Sequence, residues 1–298
     1  MPSPASPATP KPLRSDAPAL LCAALAAASF ISMDSVIKLL SLRFDALQLS
    51  FFRFAGGSVF AVALWLWKRS PLPSPDAWRL HLVRSAFLLC SLLGYFFALT
   101  QLPLVQAVTI SYLAPIVVAV LAVPVLHERP AGSIWLALAA GLVGVLLSVL
   151  PELRASLSGS DSTHLLGMIS AAAAAVSFAG VMLLARRQSG VDSIWTILLV
   201  QSVLPMLLLA APALWRWRPI QTGDVALVLL AGGLGTLGLL CLTYAFTRLE
   251  ASRVAPLEYT GLVWATMLGY LLFGELPSLT TLASAALIVG GCLLLLRR

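Results

Sequence analysis

Residues 98–102 read ALTQL and residues 245–249 read AFTRL, so one short pattern returns 147 positions further along the chain. Other features return at the same offset: Tyr112 as Tyr259, ERP at 128–130 as ELP at 275–277, and Gly144 as Gly291. Residues 64–68 (LWLWK) likewise resemble residues 214–218 (LWRWR), at an offset of 150. The sequence therefore predicts two similar units in tandem, at 17–150 and 165–298.

Composition places both units in a lipid bilayer. The 298 residues are 60% hydrophobic and 10% charged, whereas soluble domains carry about 25% charged residues, and the mean hydropathy is +0.96. Ten apolar stretches have the roughly 20 residues that a membrane-spanning helix needs; they lie at 17–40, 47–67, 80–100, 104–125, 131–150, 165–185, 193–215, 224–247, 252–274 and 278–296. We predict an all-α polytopic membrane protein with ten transmembrane helices.

Each unit holds five spans, and an odd number means that the second unit crosses the membrane in the opposite sense to the first. We therefore predict two inverted five-helix repeats. Cytoplasmic segments are enriched in Lys and Arg, and one side of the membrane holds thirteen of them: Lys11, Arg14, Lys68, Arg69, Arg79, Arg84, Arg129, Arg186, Arg187, Arg248, Arg253, Arg297 and Arg298. The other side holds four: Arg43, Arg154, Arg216 and Arg218. We predict a multi-pass protein of the cell inner membrane with both termini in the cytoplasm.

The segments outside the spans carry few structural signals. Residues 1–16 contain five prolines and are predicted to form a disordered cytoplasmic tail. Residues 151–164, rich in Ser and Gly, are predicted to form a periplasmic linker between the units. The pI of about 9.7 is explained by the cytoplasmic Lys and Arg excess, so a nucleic-acid partner is not predicted.

Motifs for catalysis, metals and cofactors are absent from the sequence. The four cysteines lie in apolar spans without CxxC spacing, which predicts neither a disulfide nor a metal site. The three histidines form no metal spacing, and no HExxH, GxSxG, Walker or dinucleotide-binding motif occurs. We predict no catalytic residue, no metal and no cofactor.

Ionisable side chains inside the spans are the first candidates for function, because each costs about 2.5–3.5 kcal/mol to insert. Asp34 and Lys38 are four residues apart on one face of span one, a spacing that predicts a pair. Arg53 in span two lies near the same depth. These three residues are candidates for a gate or for coupling. The alternative is a permanent ion pair that locks span one to span two.

Glu258 is the candidate of most interest in the second unit. It follows Pro256 by two residues in span nine, and a helix bent by proline beside an acid is typical of a cavity wall. Its repeat counterpart is the neutral Ser111. Glu258 is predicted to bind a substrate ammonium or to carry a coupling proton; the alternative is a carboxylate that caps the start of span nine. The other candidate substrate-binding residues are Tyr95, Gln106, Tyr112, Tyr259 and Trp264.

Several segments, in order along the chain, resemble the EamA-type transporters of the drug/metabolite transporter superfamily. They read DSVIK at 34–38, FFRF at 51–54, YFFAL at 95–99, YLAP at 112–115, APLEYTGLVWA at 255–265 and GE at 274–275. The resemblance covers about residues 17–296 and implies a ten-helix bundle with a central cavity that moves small organic solutes. The family often has an acid before the proline of span four, where this chain has Ala114, so no role for that acid transfers.

These observations predict a secondary active transporter that moves a small organic metabolite by alternating access, with protons as a candidate coupling ion. The resemblance favours export of a metallophore or an amino-acid-like solute. The alternative is uptake of a vitamin such as riboflavin or of a nucleoside-like metabolite. A membrane-embedded enzyme is an alternative of another class, which needs a nucleophile and a base facing a cavity. The oligomeric state is left open.

Overall fold

The computed structural model describes residues 16–126 and 162–276, together with scattered helical positions within 132–143 and 279–287. Every regular element in these ranges is helical. Seven helical segments of these ranges, one of them Gln106–Leu126, are long and apolar enough to cross a membrane, and a shorter apolar helix, Gly261–Phe273, follows them. The predicted spans at 131–150 and 278–296, the tail at 1–15 and the linker up to residue 161 lie outside the described residues, apart from those scattered positions.

The described ranges contain ten α-helices and one short 3₁₀ helix. The α-helices are α1 (Ala17–Ser41), α2 (Ala46–Lys68), α3 (Pro75–Gln101), α4 (Leu104–Ser111), α5 (Leu113–Leu126), α6 (Ser162–Gln188), α7 (Ile194–Trp215), α8 (Thr222–Arg248), α9 (Ala251–Val254) and α10 (Gly261–Phe273). The 3₁₀ helix, Ala255–Thr260, lies between α9 and α10 and brings the total to eleven elements. Helix α6 begins at Ser162, inside the segment predicted as a linker.

Polar residues at the helix starts explain where several helices begin. The side chains of Asp45, Ser74 and Ser193 each accept a hydrogen bond from the backbone N–H three residues later, at the starts of α2, α3 and α7. At the start of α8, the Asp224 carboxylate accepts from the backbone N–H of Gln221 (2.8 Å). Such caps satisfy N–H groups that have no partner within the helix.

Two extensive antiparallel contacts join the units. Helix α1 packs along α8, where the Ser29 hydroxyl donates to the Leu234 carbonyl (2.7 Å). Helix α3 packs along α6, where the Ser170 hydroxyl donates to the Gly94 carbonyl (2.8 Å). Because α6 is the repeat counterpart of α1, and α8 that of α3, each contact is the counterpart of the other.

Loops of the two units also contact each other, at both ends of the bundle. The α1–α2 loop meets the α7–α8 region, where Arg43 pairs with Asp224 (2.6 Å) and Arg218 donates to the Arg43 carbonyl (2.8 Å). At the other end of α2, the α2–α3 loop meets the α6–α7 loop through the Ser70 and Ser193 hydroxyls (2.8 Å). Equivalent loops of the two units therefore lie at opposite ends.

Helices α2 and α8 cross at glycines. A Cβ atom added to Gly56 would collide with the backbone carbonyl of Val228, and one added to Gly232 would collide with the backbone of Gly56. Small residues allow helices in a membrane to approach this closely. Gly232 therefore has a packing role at this crossing.

Span four and span nine are both interrupted within their first halves. The first is divided into α4 and α5 at Tyr112, and the second passes through α9, the 3₁₀ helix and α10. Each of these two spans is preceded by a leucine in the same extended backbone conformation. Leu102 precedes span four and Leu249 precedes span nine, and each has φ −120° and ψ 152°. Non-helical backbone at this depth is tolerated in membrane proteins where it lines a cavity or is buried in protein.

Candidate functional site

A cavity of about 180 Å³ lies between the two units. Most of its wall is apolar, and it includes members of two buried clusters, one around Ile31 and Val108 and one around Met182 and Leu242. The polar side chains of the wall are Asp34, Arg53, Arg84, Ser91, Tyr95, Ser111, Tyr112, Gln201 and Glu258. An apolar wall with a few polar groups is typical of a binding site for a small molecule.

Asp34, Arg53 and Tyr95 form the first polar group of the wall, which we call the outer pole. The Tyr95 hydroxyl donates to the Asp34 carboxylate (3.1 Å), and Arg53 lies within electrostatic range of that carboxylate. Asp34 and Arg53 are both 6% exposed. The guanidinium of Arg53 packs against α8 at Gly235, where an added Cβ would collide with it. The absence of a side chain at Gly235 therefore makes room for the arginine.

The predicted pairing of Lys38 with Asp34 is wrong. Lys38 pairs with Glu275, at 2.8 Å between Nζ and Oε1. The Glu275 carboxylate also accepts from the backbone N–H of Leu104 at the start of α4, at 3.1 and 3.2 Å. The corner after α10 thus places an acid beside the unsatisfied N–H groups of another helix. Lys38 does not line the cavity. Any role of Lys38 in gating would therefore act through its ion pair with Glu275, which joins the two units.

Glu258 and Tyr112 face the cavity from the two interrupted spans. Glu258 lies in the 3₁₀ helix and forms no hydrogen bond or ion pair with the described part of the chain. The hydroxyl of Tyr112 lies 3.2 Å from the position of a Cβ on Gly261, so the two interruptions are in contact. Ser111, the repeat counterpart of Glu258, also lines the cavity. The side chain of Tyr259 lies outside what the structure describes.

Arg84 is a cavity residue that the sequence analysis missed, since it counted this arginine among the cytoplasmic charges. Its side chain is 2% exposed and lines the cavity. The guanidinium donates to Gln188 Oε1 (2.5 Å), Gln188 Nε2 lies 3.0 Å from His81 Nδ1, and His81 Nε2 lies 2.8 Å from Asp192. The position of Arg84, four residues inside the predicted span at 80–100, was the available signal.

Gln201 of α7 is a further polar residue of the cavity wall. It is 1% exposed, and neither atom of its amide has a hydrogen-bond partner among the described residues. It is the repeat counterpart of Arg53, at an offset of 148. Both residues therefore face one cavity from equivalent helices.

Two predicted substrate-binding residues do not line the cavity. Trp264 is 39% exposed, because the buried face of α10 carries Leu262 and Ala265 and the tryptophan points away from it. Gln106 lies in α4 with a buried Oε1 that has no partner among the described residues, yet it is not part of the cavity wall. The apolar exposed face that carries Trp264 suits contact with lipid.

The geometry of the wall favours binding over catalysis. It offers two carboxylates, two guanidinium groups, an amide and several hydroxyls, all of which recognise charged or polar groups on a ligand. Across the described residues, no group of three His, Cys, Asp or Glu side chains is placed to hold a metal ion. His81, the buried histidine nearest the cavity, is engaged with Gln188 and Asp192.

Comparison with known proteins agrees with this geometry. The sequence model of the EamA-like transporter family matches residues 17–150 and 165–297. The pseudopaline exporter CntI of Pseudomonas aeruginosa is 29% identical over 93% of this chain and 95% of its own length. The S-adenosylmethionine uptake transporter of Rickettsia prowazekii is 23% identical over 88% of this chain and 87% of its own.

A solved crystal structure has the same fold, with a TM-score of 0.70 and 22% sequence identity over 92% of this chain and 98% of that one. The family match covers both predicted units, and the relatives are named as transporters of small metabolites, not as enzymes. The chain is therefore a multi-pass membrane transporter that belongs to the EamA-like family of the drug/metabolite transporters.

Proposed function

We propose that this protein is a secondary active transporter of the cell inner membrane with ten spans, arranged as inverted units at 17–150 and 165–298. The observation that carries the proposal is the charged cavity between the units, whose wall draws on equivalent helices of both. Paired contacts such as α1 with α8 and α3 with α6 support exchange between two related conformations. In such an exchange the cavity opens to one side of the membrane at a time.

We infer that the solute is amino-acid-like and that export is the direction of transport. Asp34 and Glu258 suit an ammonium group, and Arg53 suits a carboxylate. The pseudopaline exporter is among the relatives that match nearly the whole chain, which supports export of a metallophore or a similar solute. Both termini are then cytoplasmic, as the distribution of Lys and Arg predicts.

Glu258 is the residue that we propose for proton coupling. It is half-buried in an interrupted span and forms no hydrogen bond or ion pair with the described residues, so no cation among them holds it permanently charged. A carboxyl group in that setting can accept a proton on one side of the membrane and release it on the other. Tyr112 and Tyr95 would contact the solute beside it.

Transport into proteoliposomes tests the proposal directly. Purified protein is reconstituted with unlabelled amino acids, S-adenosylmethionine or carboxylate metallophores inside, and entry of the labelled solute by counterflow is measured. We expect saturable exchange of at least one class, blocked when Asp34 and Glu258 are both replaced by neutral residues. Exchange of none of them, with chemical conversion of one, would instead indicate the membrane-embedded enzyme.

Uptake of a nucleoside-like solute is the second candidate, and a specific observation favours it. The S-adenosylmethionine uptake transporters match more than four fifths of this chain. S-adenosylmethionine also carries an amino-acid group, so the same wall suits it. Vesicles of known orientation distinguish the two directions, because an exporter loads inside-out vesicles and an importer loads right-side-out vesicles.

A further inference from the structure

We propose that Arg84 and Gln201 form a second binding subsite of the cavity, which takes a carboxylate group of the solute. We call it the inner subsite, because both residues lie toward the cytoplasmic ends of their helices in the proposed topology. The inference rests on the proposed function and extends it, since it adds a second anionic group to the solute. Nothing in the family match or in the relatives assigns a role to either residue.

The charge of Arg84 is uncompensated in its surroundings. The guanidinium is 2% exposed, and among the described residues it forms no ion pair. Its hydrogen-bond partner Gln188 is neutral, and its Nε atom has no partner among the described residues. A buried cation without a counter-charge is costly. A carboxylate entering the cavity would supply both the charge and the missing acceptor.

The contacts behind Arg84 hold it in one orientation. Because the guanidinium only donates, Gln188 must present its oxygen to Arg84 and its amide nitrogen to His81 Nδ1. His81 then carries its proton on Nε2 and donates it to Asp192 (2.8 Å). Each hydrogen bond of this series therefore joins a donor to an acceptor. The guanidinium is therefore positioned before the solute arrives, as a specific carboxylate site requires.

Gln201 supplies the neutral half of the subsite. Its amide is buried on the cavity wall, and both its nitrogen and its oxygen lack partners among the described residues. A buried amide normally makes hydrogen bonds, so an unpartnered one facing a cavity indicates a ligand group or water. The nitrogen can donate to the same carboxylate that Arg84 binds.

The inner subsite is separate from the outer pole. Arg84 and Tyr95 are eleven positions apart on α3, which corresponds to about 16 Å along the helix axis at 1.5 Å per residue. Tyr95 binds Asp34 at the outer pole, and Glu258 also faces the cavity. The arrangement of charges fits an elongated solute with a carboxylate at its inner end and an ammonium group further out.

Matched acid and amide probes test the inner subsite. Binding of aspartate against asparagine, and of glutamate against glutamine, is measured by tryptophan fluorescence on purified protein in lipid nanodiscs. We expect the wild type to bind at least one acid more tightly than its amide. In Arg84→Gln that preference falls by roughly 10- to 100-fold, the range of a hydrogen bond to a charged group. Arg79→Gln, which removes an exposed arginine from the same helix, keeps the preference.

Further variants separate binding from folding. Arg84→Lys keeps the charge but loses the paired donors, and we expect it to recover only part of the preference. Gln201→Leu should weaken binding of the acid while the protein still elutes as a single species. A wild type without any preference for the acids, or an Arg84→Gln variant that retains it, overturns the proposal.

The same samples separate this inference from the proposed function. Wild-type protein that exchanges solutes by counterflow but binds acids and amides equally would contradict the inner subsite and remain consistent with the proposed transport function. Protein with an Arg84-dependent preference that moves none of the probes across a vesicle would keep the subsite and contradict transport of those solutes.

Discussion

The two units share a scaffold and differ in what they place in the cavity. Among the described side chains, the first unit contributes an acid, two arginines, two tyrosines and two serines, whereas the second contributes Glu258 and Gln201 as its polar members. Equivalent positions of the two units carry different side chains. Ser111 corresponds to Glu258, and Arg53 corresponds to Gln201. The scaffold can therefore be symmetric while the solute is bound by an asymmetric set of charges.

The crossing of α2 and α8 at Gly56 and Gly232 should tolerate substitution least. Gly232→Ala puts a methyl group against the backbone of Gly56, which has no flexible side-chain atoms that can move aside. We expect a loss of about 3 kcal/mol in stability, at the upper end of the usual cost of overpacking. The measurement is thermal unfolding in detergent. Gly223→Ala, at a glycine of the same helix with open space around it, is the control and should be neutral or stabilising.

Replacing the tyrosine of the outer pole tests the asymmetry of the wall. Tyr95→Phe removes the donor to the Asp34 carboxylate, and a hydrogen bond to a charged group contributes about 1.5–3 kcal/mol. We expect solute affinity to fall at least about tenfold, measured by counterflow at varied solute concentration. Tyr244→Phe in α8 of the second unit removes a hydroxyl that lies outside the cavity wall. Equal losses in both variants would contradict the placement of the site.

The acid of the second unit should control coupling and leave exchange intact. One pH unit across the membrane is equivalent to about 1.4 kcal/mol, so one coupled proton can drive about tenfold accumulation of solute. We expect Glu258→Gln to lose that accumulation while it still exchanges solute by counterflow. Glu250→Gln, at an exposed glutamate just before α9, should behave like the wild type. Full pH-driven accumulation by Glu258→Gln would remove proton coupling through this residue.

Local sequence patterns predicted the scaffold well. Hydrophobic pattern and repeat offset alone indicate the helices of the described ranges. Glu258 was identified from its position after Pro256 and Tyr112 from its repeat counterpart Tyr259, and both Glu258 and Tyr112 face the cavity. These features depend on neighbours along the chain, which a single sequence contains.

Long-range contacts were the part that local patterns did not predict. The spacing of Asp34 and Lys38 indicated an i,i+4 pair, but Glu275 lies 237 positions from Lys38 along the chain and is its partner. Arg84 was assigned to the membrane surface because the count of cytoplasmic charges does not measure depth. Its burial depends on Gln188, 104 positions away, which only the packing of α3 against α6 brings near.

The ion pairs between the units should differ in strength with their exposure. The Arg43 side chain is 40% exposed and its partner Asp224 is 6% exposed, whereas Lys38 and Glu275 are 14% and 19% exposed. Arg43→Met should cost less than about 1 kcal/mol, because water screens the charge and Asp224 keeps its bond from the Gln221 backbone. Lys38→Met should cost more, because it leaves Glu275 half-buried with only the N–H of Leu104. Thermal unfolding of both variants in detergent ranks them, and a larger loss for Arg43→Met would show that exposure does not decide which contact holds the units together.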